Sequence, residues 1–276
     1  MTIQTALLQG TRLLEDESIL APRLTAEVLL AHALQRDRAY LYAHSGEELD
    51  GIAWIHYGRY LHERLSGKPT QYITKRQEFY GREFRVTPDV LIPRPETEHL
   101  IEAALARIRP GDRVLDIGTG SGAIAVTLAV ETKAQVLATD VSLPALAVAA
   151  GNAARLQACV ALLACDLASA IAPASIDVLV SNPPYVPRAD ESGLQREVRD
   201  YEPHVALFAG PTGLEIYQRL VDEARRVLRP RGCLLLELGY NSVGPVSDML
   251  GTRWDGAEVL ADLAGLPRVL ATRMAP

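Results

Sequence analysis

Four consecutive residues, Asn182, Pro183, Pro184 and Tyr185, follow an apolar run and could together orient a nitrogen atom for reaction. The Asn182 side-chain oxygen could accept a hydrogen bond from one N–H of a planar amide or amine, and the Pro183 carbonyl could accept one from the other. The prolines have a restricted φ, which presets that carbonyl, and Tyr185 offers a flat wall. We interpret these residues as a methyl-transfer site that works by orientation and proximity, although Asn-Pro-Pro is also an ordinary turn sequence.

A glycine-rich segment ends the first strand of the predicted sheet, and its residues are Gly118, Thr119, Gly120, Ser121 and Gly122. Glycine at every second position lets the backbone turn tightly and approach a ligand closely. Together with Ala123 the spacing also satisfies the loose dinucleotide-binding pattern, so two kinds of ligand compete. Asp116, two residues before the first glycine, would repel a pyrophosphate. It favours a ligand with an ammonium and a sulfonium group, namely S-adenosylmethionine.

Two further acids follow the next strands. Asp140, at the end of the second strand, can accept hydrogen bonds from both hydroxyls of a ribose. Asp166 could accept one from the adenine amino group while Leu167 packs on the ring, but an Asp at this place is as often a cap or turn residue. We therefore predict that residues 118–122, Asp140, Asp166, Leu167 and Asn182 bind the cofactor.

Helices and strands alternate from Pro95 to the C-terminus, which is typical of a parallel α/β sheet. In such sheets ligands bind at the carboxyl ends of the strands, near the point where the strand order reverses. The candidate residues all follow predicted strands, so we expect them at one edge of the sheet. We predict strands at residues 113–116, 135–140, 160–164, 176–181, 233–238 and 268–272, and helices that begin near Glu96, Gly122, Pro144 and Gly213.

The chain before this pattern is predicted to be helical up to about residue 64. Pro22 is suited to the first turn of a helix in which Leu24, Val28 and Ala31 recur at helical spacing. Aromatic and β-branched residues around Gly81 then predict a short hairpin. We divide the chain into a helical domain (residues 1–76), a hairpin linker (77–92) and a catalytic sheet domain (93–276).

Composition narrows the function further. The formal net charge of −6 argues against a protein whose main task is to bind nucleic-acid phosphates. Three cysteines without a C-x-x-C pattern predict reduced, buried thiols, and no His, Cys or Asp cluster has metal-ligand spacing. The N-terminus lacks the cationic start of a signal peptide, and no apolar run approaches a membrane span. We expect a cytoplasmic protein without a metal or a membrane partner.

Several segments resemble one family. The Asn-Pro-Pro-Tyr sequence is typical of methyltransferases that act on adenine, cytosine or glutamine nitrogen. The segment 91–98, Leu-Ile-Pro-Arg-Pro-Glu-Thr-Glu, is similar to that of the HemK/PrmC-type release factor glutamine methyltransferases. The ribosomal-protein glutamine enzymes instead tend to have a Pro-Arg-Ser-Pro version. The helical N-terminus, the hairpin and the segment 262–269 are also similar, so the resemblance covers essentially the whole chain.

The resemblance implies a Rossmann-like, seven-stranded, mostly parallel sheet and S-adenosylmethionine as the cofactor. It implies N5-methylation of the glutamine in the Gly-Gly-Gln loop of peptide chain release factors, which the N-terminal helices would hold, by a monomer that binds no nucleic acid directly. By position, residues 118–122 match the family's cofactor loop, Asp140 its ribose-binding acid and residues 182–185 its amide site. Ser121 stands where many members have Thr. Leu167 stands where some have a Trp that stacks on adenine.

Alternative functions remain open at this stage. An adenine-N6 nucleic-acid methyltransferase shares the Asn-Pro-Pro-Tyr sequence, but would need a basic cleft and normally a target-recognition domain. A dinucleotide-binding oxidoreductase would explain the glycines and Asp140 but would leave Asp116 and residues 182–185 without a role. A ribosomal-protein glutamine methyltransferase and a non-catalytic interaction protein on this fold are the remaining alternatives. Residues 93–98 could likewise line the site, or Pro95 with Glu96 and Glu98 could simply begin a helix.

Overall fold

The computed structural model describes all 276 residues, which divide into two compact units. The smaller unit comprises residues 1–76 and 195–201, and the larger comprises residues 77–194 and 202–276. The chain therefore leaves the larger unit after residue 194 and returns to it at residue 202. The sequence patterns did not predict this excursion.

The secondary structure alternates in the larger unit and is helical in the smaller one. The α-helices are α1 (Ile3–Asp16), α2 (Pro22–Leu34), α3 (Arg38–Ala43), α4 (Gly51–Leu65), α5 (Thr70–Thr74), α6 (Glu98–Leu105), α7 (Ala123–Glu131), α8 (Leu143–Arg155), α9 (Arg196–Tyr201), α10 (His204–Leu207), α11 (Glu215–Val227) and α12 (Val243–Leu250). The strands are β1 (Arg76–Phe79), β2 (Arg82–Arg85), β3 (Arg113–Ile117), β4 (Gln135–Asp140), β5 (Val160–Ala164), β6 (Ile176–Ser181), β7 (Val186–Pro187), β8 (Phe208–Gly210), β9 (Leu228–Glu237), β10 (Trp254–Ala261) and β11 (Pro267–Met274).

The smaller unit packs α1, α2 and α4 around an apolar core and contains two buried charges that are paired. Glu27 on α2 is 2 % exposed and is held by Arg38 and by the Tyr42 hydroxyl. Arg64 on α4 is also buried, and its guanidinium lies 2.5 Å from the Glu197 carboxylate on α9. Since α9 comes from the excursion, this ion pair joins the two stretches of chain that form the unit.

The larger unit contains a seven-stranded sheet with the order β10-β11-β9-β6-β3-β4-β5. β11 alone runs opposite to the other six strands, so the predicted Rossmann-like, mostly parallel α/β sheet is confirmed. The chain runs outward from β3 through β4 to β5 and then returns to β6 on the other side of β3. The strand order reverses between β3 and β6, which is where folds of this kind bind ligands.

Both faces of the sheet are covered by helices. Val178 and Val180 on β6 contact the apolar layer that includes α6 and α7, whereas Leu179 between them contacts the layer that includes α11 and α12. Successive strand residues point to opposite faces, so a strand that is buried on both sides must be apolar throughout. This requirement explains the uninterrupted apolar run that precedes Asn182.

Sequence and structure differ at one strand and at two cysteines. Strand β10 was not predicted, because residues 255–259 are exposed and include Asp, Gly and Glu. The predicted hairpin is present as β1 and β2, and residues 77–92 fall within the larger unit. The prediction of buried thiols is wrong for Cys159, which is exposed, and for Cys165, which is half-buried, because β5 is an edge strand; Cys233 is buried.

The structure contains neither a helix that could span a membrane nor a cluster that could hold a metal ion. Each of the helices is too short or too polar to cross a membrane. The His, Cys, Asp and Glu side chains form no group of three or more that could hold a metal ion.

Candidate active site

The glycine loop (residues 118–122) and Asn182 lie side by side because β3 and β6 are adjacent and parallel. In the register of these parallel strands Asp116 is opposite Val180. Two residues further along each chain, Gly118 at the start of the loop is therefore level with Asn182. The structure therefore brings the two sequence motifs together at the reversal point of the sheet.

The backbone of the glycine loop opens it towards a cavity. Gly118, Gly120 and Gly122 have φ values of 73°, 54° and 81°, in the left-handed region that favours glycine. A Cβ at Gly118 or Gly120 would project into open space, and both residues line the cavity described below. At Gly122 a Cβ would lie 3.1 Å from that of Ala149, so this glycine permits close packing of α7 on α8 and does not line the cavity.

The two remaining loop residues are buried. The Thr119 hydroxyl donates to Asp116 Oδ2 over 2.7 Å, so its proton is not available to a ligand. Ser121 lies 31 residues before Asn152, whose buried amide donates to the Ser121 carbonyl over 2.8 Å. Both loop residues line a small cavity of about 50 Å³ rather than the larger one.

Asp140 ends β4 with its carboxylate fixed by two backbone groups. Its Oδ2 accepts from the Gly120 N–H and its Oδ1 from the Ser142 N–H, each over 2.9 Å. A carboxylate oxygen has a second lone pair, so both oxygens keep acceptor capacity towards the cavity that Asp140 lines. Two parallel acceptors of this kind suit the vicinal hydroxyls of a ribose.

A cavity of about 340 Å³ lies along the carboxyl edge of the sheet, a volume suited to a small cofactor. Its wall contains three carboxylates, Asp89, Asp140 and Asp166, and one cation, Arg219, which is paired with Asp166 over 2.6 Å. A pyrophosphate would meet a surplus of negative charge here, whereas a cationic ligand would be attracted. The lining thus fits S-adenosylmethionine better than a dinucleotide. The lining residues are Asp89, Val90, Leu91, Ile117, Gly118, Gly120, Thr139, Asp140, Val141, Ser142, Ala145, Asp166, Leu167, Asn182, Pro184, Pro203, Val205, Ala206, Ile216 and Arg219.

The structure places both residues of the Asp166–Leu167 pair on this cavity. The ion pair with Arg219 uses Oδ2 of Asp166, so the other carboxylate oxygen is left for a ligand. Leu167 has a left-handed φ of 49°, and its carbonyl accepts from the Thr139 hydroxyl over 2.8 Å. Contact of either side chain with an adenine stays a prediction.

Asp116 lies beneath the glycine loop and is fully buried. Burial raises the pKa of Asp116 to about 7, against the opposing effect of hydrogen bonds from the Thr119 hydroxyl and the Ala125 N–H. Its Oδ1 has no hydrogen-bond partner. The carboxyl therefore does not touch the cavity directly, but its charge would favour a cation on the other side of the loop.

Asn182 lines both cavities and is oriented by a residue from the segment 93–98. Its Nδ2 donates to the Thr97 hydroxyl over 3.1 Å. The strand end on which it stands is fixed because the Ser181 hydroxyl donates to the Ile117 carbonyl over 2.7 Å. With Nδ2 engaged by the protein, Oδ1 is the amide atom left to accept from a substrate.

The rest of the Asn-Pro-Pro-Tyr sequence is divided between two places. Pro184 lines the cofactor-sized cavity with Asn182, and Pro183 is buried. Tyr185 instead lies against Gly239, where a Cβ would come within 2.9 Å of its ring, and it lines a separate cavity of about 430 Å³. Burial raises the pKa of Tyr185 to about 12, so the phenol is neutral at physiological pH.

The segment 93–98 both begins a helix and lines the site. Pro95 starts a 3-10 turn that leads into α6, as the helix interpretation predicted. Pro93, Arg94 and Thr97 nevertheless line the small cavity together with the glycine loop and Asn182. Arg94 is fixed by an ion pair with Glu202 over 2.6 Å. The sequence alone could not choose between the two roles, and the structure shows both.

Glu237 is a buried acid at the site that our sequence reasoning missed. It ends β9, the neighbour of β6, and is 3 % exposed. Burial raises the pKa of Glu237 to about 7, and hydrogen bonding by the side chains of Thr97 and Asn182 opposes that rise. The signal in the sequence is an acid inside the apolar run Leu-Leu-Leu-Glu-Leu at residues 234–238. Arg219 was missed as well, because it does not follow a strand, and Thr97 was considered only as part of the segment 93–98.

The sheet order and a ligand cavity at its reversal point define a Rossmann-like, S-adenosylmethionine-dependent methyltransferase. Comparisons with known proteins extend this assignment. One family model, described as the PrmC N-terminal domain, matches residues 5–74, and another, the methyltransferase small domain, matches residues 96–197. A release factor glutamine methyltransferase of Koribacter versatilis (strain Ellin345) is 46 % identical over 278 residues, which cover 99 % of both chains. This chain belongs to the release factor glutamine methyltransferase family.

Two solved structures are similar to the larger part of the chain. A methyltransferase from Pyrococcus furiosus has a TM-score of 0.56 and 19 % identity, and the match covers 75 % of this chain and 94 % of that one. The E. cuniculi Mtq2–Trm112 complex, described as responsible for methylation of the eRF1 translation termination factor, gives a TM-score of 0.50 and 26 % identity. That match covers 68 % of this chain and 99 % of the other. The first of these supports the fold alone.

Proposed function

We propose that this protein transfers a methyl group from S-adenosylmethionine to the side-chain N5 of the glutamine in the Gly-Gly-Gln motif of peptide chain release factors. The observation that carries the proposal is the orientation of Asn182, whose Nδ2 is bound to Thr97 so that Oδ1 is left to accept. A cavity with a surplus of carboxylates lies directly beside it. The names of the relatives and of the eRF1-methylating complex support the choice of substrate.

The chain's own residues divide into those that hold the cofactor and those that hold the amide. When bound, the cofactor supplies a methyl group that is activated by its attachment to a sulfonium. Asp140 would accept from the ribose hydroxyls, Gly118 and Gly120 would let the backbone approach, and Asp166 and Leu167 would lie at the adenine. The carboxylates Asp89, Asp140 and Asp166 give the wall the negative charge that a sulfonium requires.

The acceptor nitrogen needs orientation because an amide lone pair is delocalised and weakly nucleophilic. Asn182 Oδ1 and the Pro183 carbonyl would each accept one N–H of the target amide, which turns its lone pair in one direction and favours pyramidal geometry. Pro184 has a restricted φ and fixes the chain after that carbonyl. The amide loses a proton only after it has gained the methyl group, so proximity and orientation account for most of the catalysis.

Three further statements belong to the same proposal. The helical domain at residues 1–76 would dock the release factor, and residues 77–92 would link it to the catalytic domain of residues 93–276. The protein would act as a monomer on a protein substrate without direct contact to nucleic acid, in keeping with the net charge of −6. Its location would be cytoplasmic, where release factors act.

The test is a labelling experiment with purified protein, radiolabelled S-adenosylmethionine and a release factor. The wild-type protein should label the Gly-Gly-Gln glutamine, Asn182→Ala should not, and Asp177→Asn should match the wild type. Asp177 is the matched control because it stands at the other end of β6, where it pairs with Arg229. Labelling of DNA or of a ribosomal protein in place of the release factor would overturn the substrate assignment, and full activity of Asn182→Ala would overturn the mechanism.

A further inference from the structure

Glu237 is the buried titratable group at the site that the mechanism above does not use. Its Oε2 has no hydrogen-bond partner, an arrangement that costs free energy for a buried oxygen. Strand β9 places it beside the end of β6, since Ser181 and Leu236 are opposite each other in the register. The next residue on each strand is Asn182 and Glu237. The acid therefore stands directly next to the residue that must hold the substrate amide.

The orientation of the Asn182 amide is the feature that a neighbouring acid can control. An Asn side chain can turn over, which exchanges its acceptor oxygen and its donor nitrogen. Only the orientation with Oδ1 towards the substrate can accept an N–H. The Thr97 hydroxyl does not decide between the two orientations alone, because a hydroxyl can both donate and accept. A carboxylate does decide, because it can only accept.

We propose that Glu237 is a positioning residue, whose carboxylate binds the Thr97 hydroxyl and the Asn182 amide and thereby keeps Asn182 Oδ1 turned towards the substrate. With the Thr97 proton drawn to the carboxylate, Thr97 Oγ1 presents a lone pair to Asn182 Nδ2, which is the direction of the 3.1 Å hydrogen bond. The unpaired Oε2 gives the acid the capacity to accept a further donor. This inference rests on the proposed amide-methylating function.

Protonation of Glu237 would remove this control, because a carboxylic acid can donate as well as accept. The charged and titratable groups that face it come from each packed element. Arg268 on β11 favours the charged carboxylate, and Glu96 at the start of the 3-10 turn disfavours it. Tyr185 after β6 and Tyr217 on α11 are also within electrostatic range, and burial raises the pKa of both phenols, so they stay neutral. Glu237 is thus the group in this cluster that changes charge near neutral pH.

The experiment compares Glu237→Gln and Glu237→Leu with the wild type and with Asp177→Asn, in release factor methylation from pH 6 to pH 9. For the wild type, kcat should fall about tenfold from pH 8.5 to pH 6, with an apparent pKa near that of the buried acid. Glu237→Gln, which like the protonated acid can donate as well as accept, should keep kcat near the wild-type value at pH 6 over the whole pH range and so lose this pH dependence. Glu237→Leu should hold kcat at least tenfold below the wild-type value at pH 8.5, without this pH dependence and with the KM for release factor within about twofold. Asp177→Asn should follow the wild-type profile.

Direct measurement of S-adenosylmethionine binding by calorimetry and of thermal unfolding completes the test. Both Glu237 variants should bind the cofactor within about threefold of the wild type. If Glu237→Leu does not fold, the pH profile of Glu237→Gln decides. An unchanged low-pH fall of kcat in Glu237→Gln, or wild-type kcat at pH 8.5 in a folded Glu237→Gln or Glu237→Leu, would overturn the positioning role. If the wild type itself does not label the release factor, the proposed function fails instead, so the two failures are distinguishable.

Discussion

The two halves of the candidate site are built in different ways. The cofactor half, around Asp116, Thr119 and Asp140, is held by hydrogen bonds between residues 3 to 20 positions apart. The acceptor half, around Thr97 and Asn182, is held by a hydrogen bond that spans 85 positions. Each half contains one buried acid, Asp116 or Glu237, and burial raises the pKa of each to about 7.

This difference shows how the two halves divide their tasks. The glycine loop at the centre of the cofactor half joins a strand to the next helix, and its side-chain hydrogen bonds span 31 positions or fewer. The acceptor half forms only when the segments that contain Thr97, Asn182 and Glu237 have packed together. The orientation of Asn182 therefore depends on the completed sheet. We therefore expect substitutions in the first half to act on cofactor binding and substitutions in the second to act on the rate of transfer.

The largest expected effect is that of Asn182→Ala on kcat. The substitution removes an oriented acceptor, and the loss of one such hydrogen bond lowers kcat by about 10²–10³-fold in other active sites. The Kd for S-adenosylmethionine, measured by calorimetry, should change less than about fivefold. An equal loss in kcat and in cofactor affinity would contradict the division between the halves.

The second prediction concerns stability and treats the two buried acids alike. Each has a folded pKa raised to about 7, so each contributes stability that is present below its unfolded pKa and is lost as the pH rises to 7. We expect the wild-type free energy of unfolding to fall by up to about 3 kcal/mol per acid between pH 4.5 and pH 7.5.

Urea denaturation of Asp116→Asn and Glu237→Gln at both pH values isolates these contributions. In each variant the free energy of unfolding should fall less between the two pH values than in the wild type, because the contribution of the substituted acid is gone. Comparison with the variants is needed because burial lowers the pKa of His32, which weakens the fold as the pH falls below 6.5. If the free energy of unfolding of a variant depends on pH as strongly as that of the wild type, the acid it replaces is ionised in the folded protein.

The third prediction concerns the cofactor half. Asp140→Ala removes both acceptors for the ribose and the anchor of the Gly120 N–H, so we expect a rise of about 100-fold in the Kd for S-adenosylmethionine. At saturating cofactor kcat should stay within about fivefold of the wild type, which steady-state kinetics would establish. Asp177→Asn again serves as the control for removal of one carboxylate from a strand end.

The smallest expected effect distinguishes two glycines of the same loop. Gly122→Ala should lower the free energy of unfolding by about 2 kcal/mol, because it places a side chain in a left-handed conformation and against Ala149. Gly118→Ala meets no atom within 4 Å and should cost only about 1 kcal/mol, yet it should weaken cofactor binding more than Gly122→Ala does. Chemical denaturation shows which variant loses more stability, and calorimetry shows which one loses more affinity for the cofactor. If the same variant loses more of both, our assignment of the roles is contradicted.

The sequence predicted those parts of the molecule whose signal is local. Strands β4, β5 and β6 have the predicted bounds, because each is an apolar or β-branched run that ends at, or within two residues of, a polar residue. The glycine loop and Asn182 were located for the same reason. Glu237 and the pairing of Arg94 with Glu202 could not be predicted, because their partners lie on segments that only the folded sheet brings together. The turn of Tyr185 away from the cofactor cavity likewise depends on the space left by Gly239.

The excursion of residues 195–201 determines how the protein could be divided. A fragment that ends at residue 76 would contain Arg64 but not Glu197, and would leave a buried guanidinium without its counter-ion. Loss of one partner of a buried ion pair typically costs about 3–5 kcal/mol, a large share of the stability of so small a helical unit. The N-terminal helices are therefore not a module that can be cut out or exchanged at one point, and any transplant to another protein must carry α9 with it.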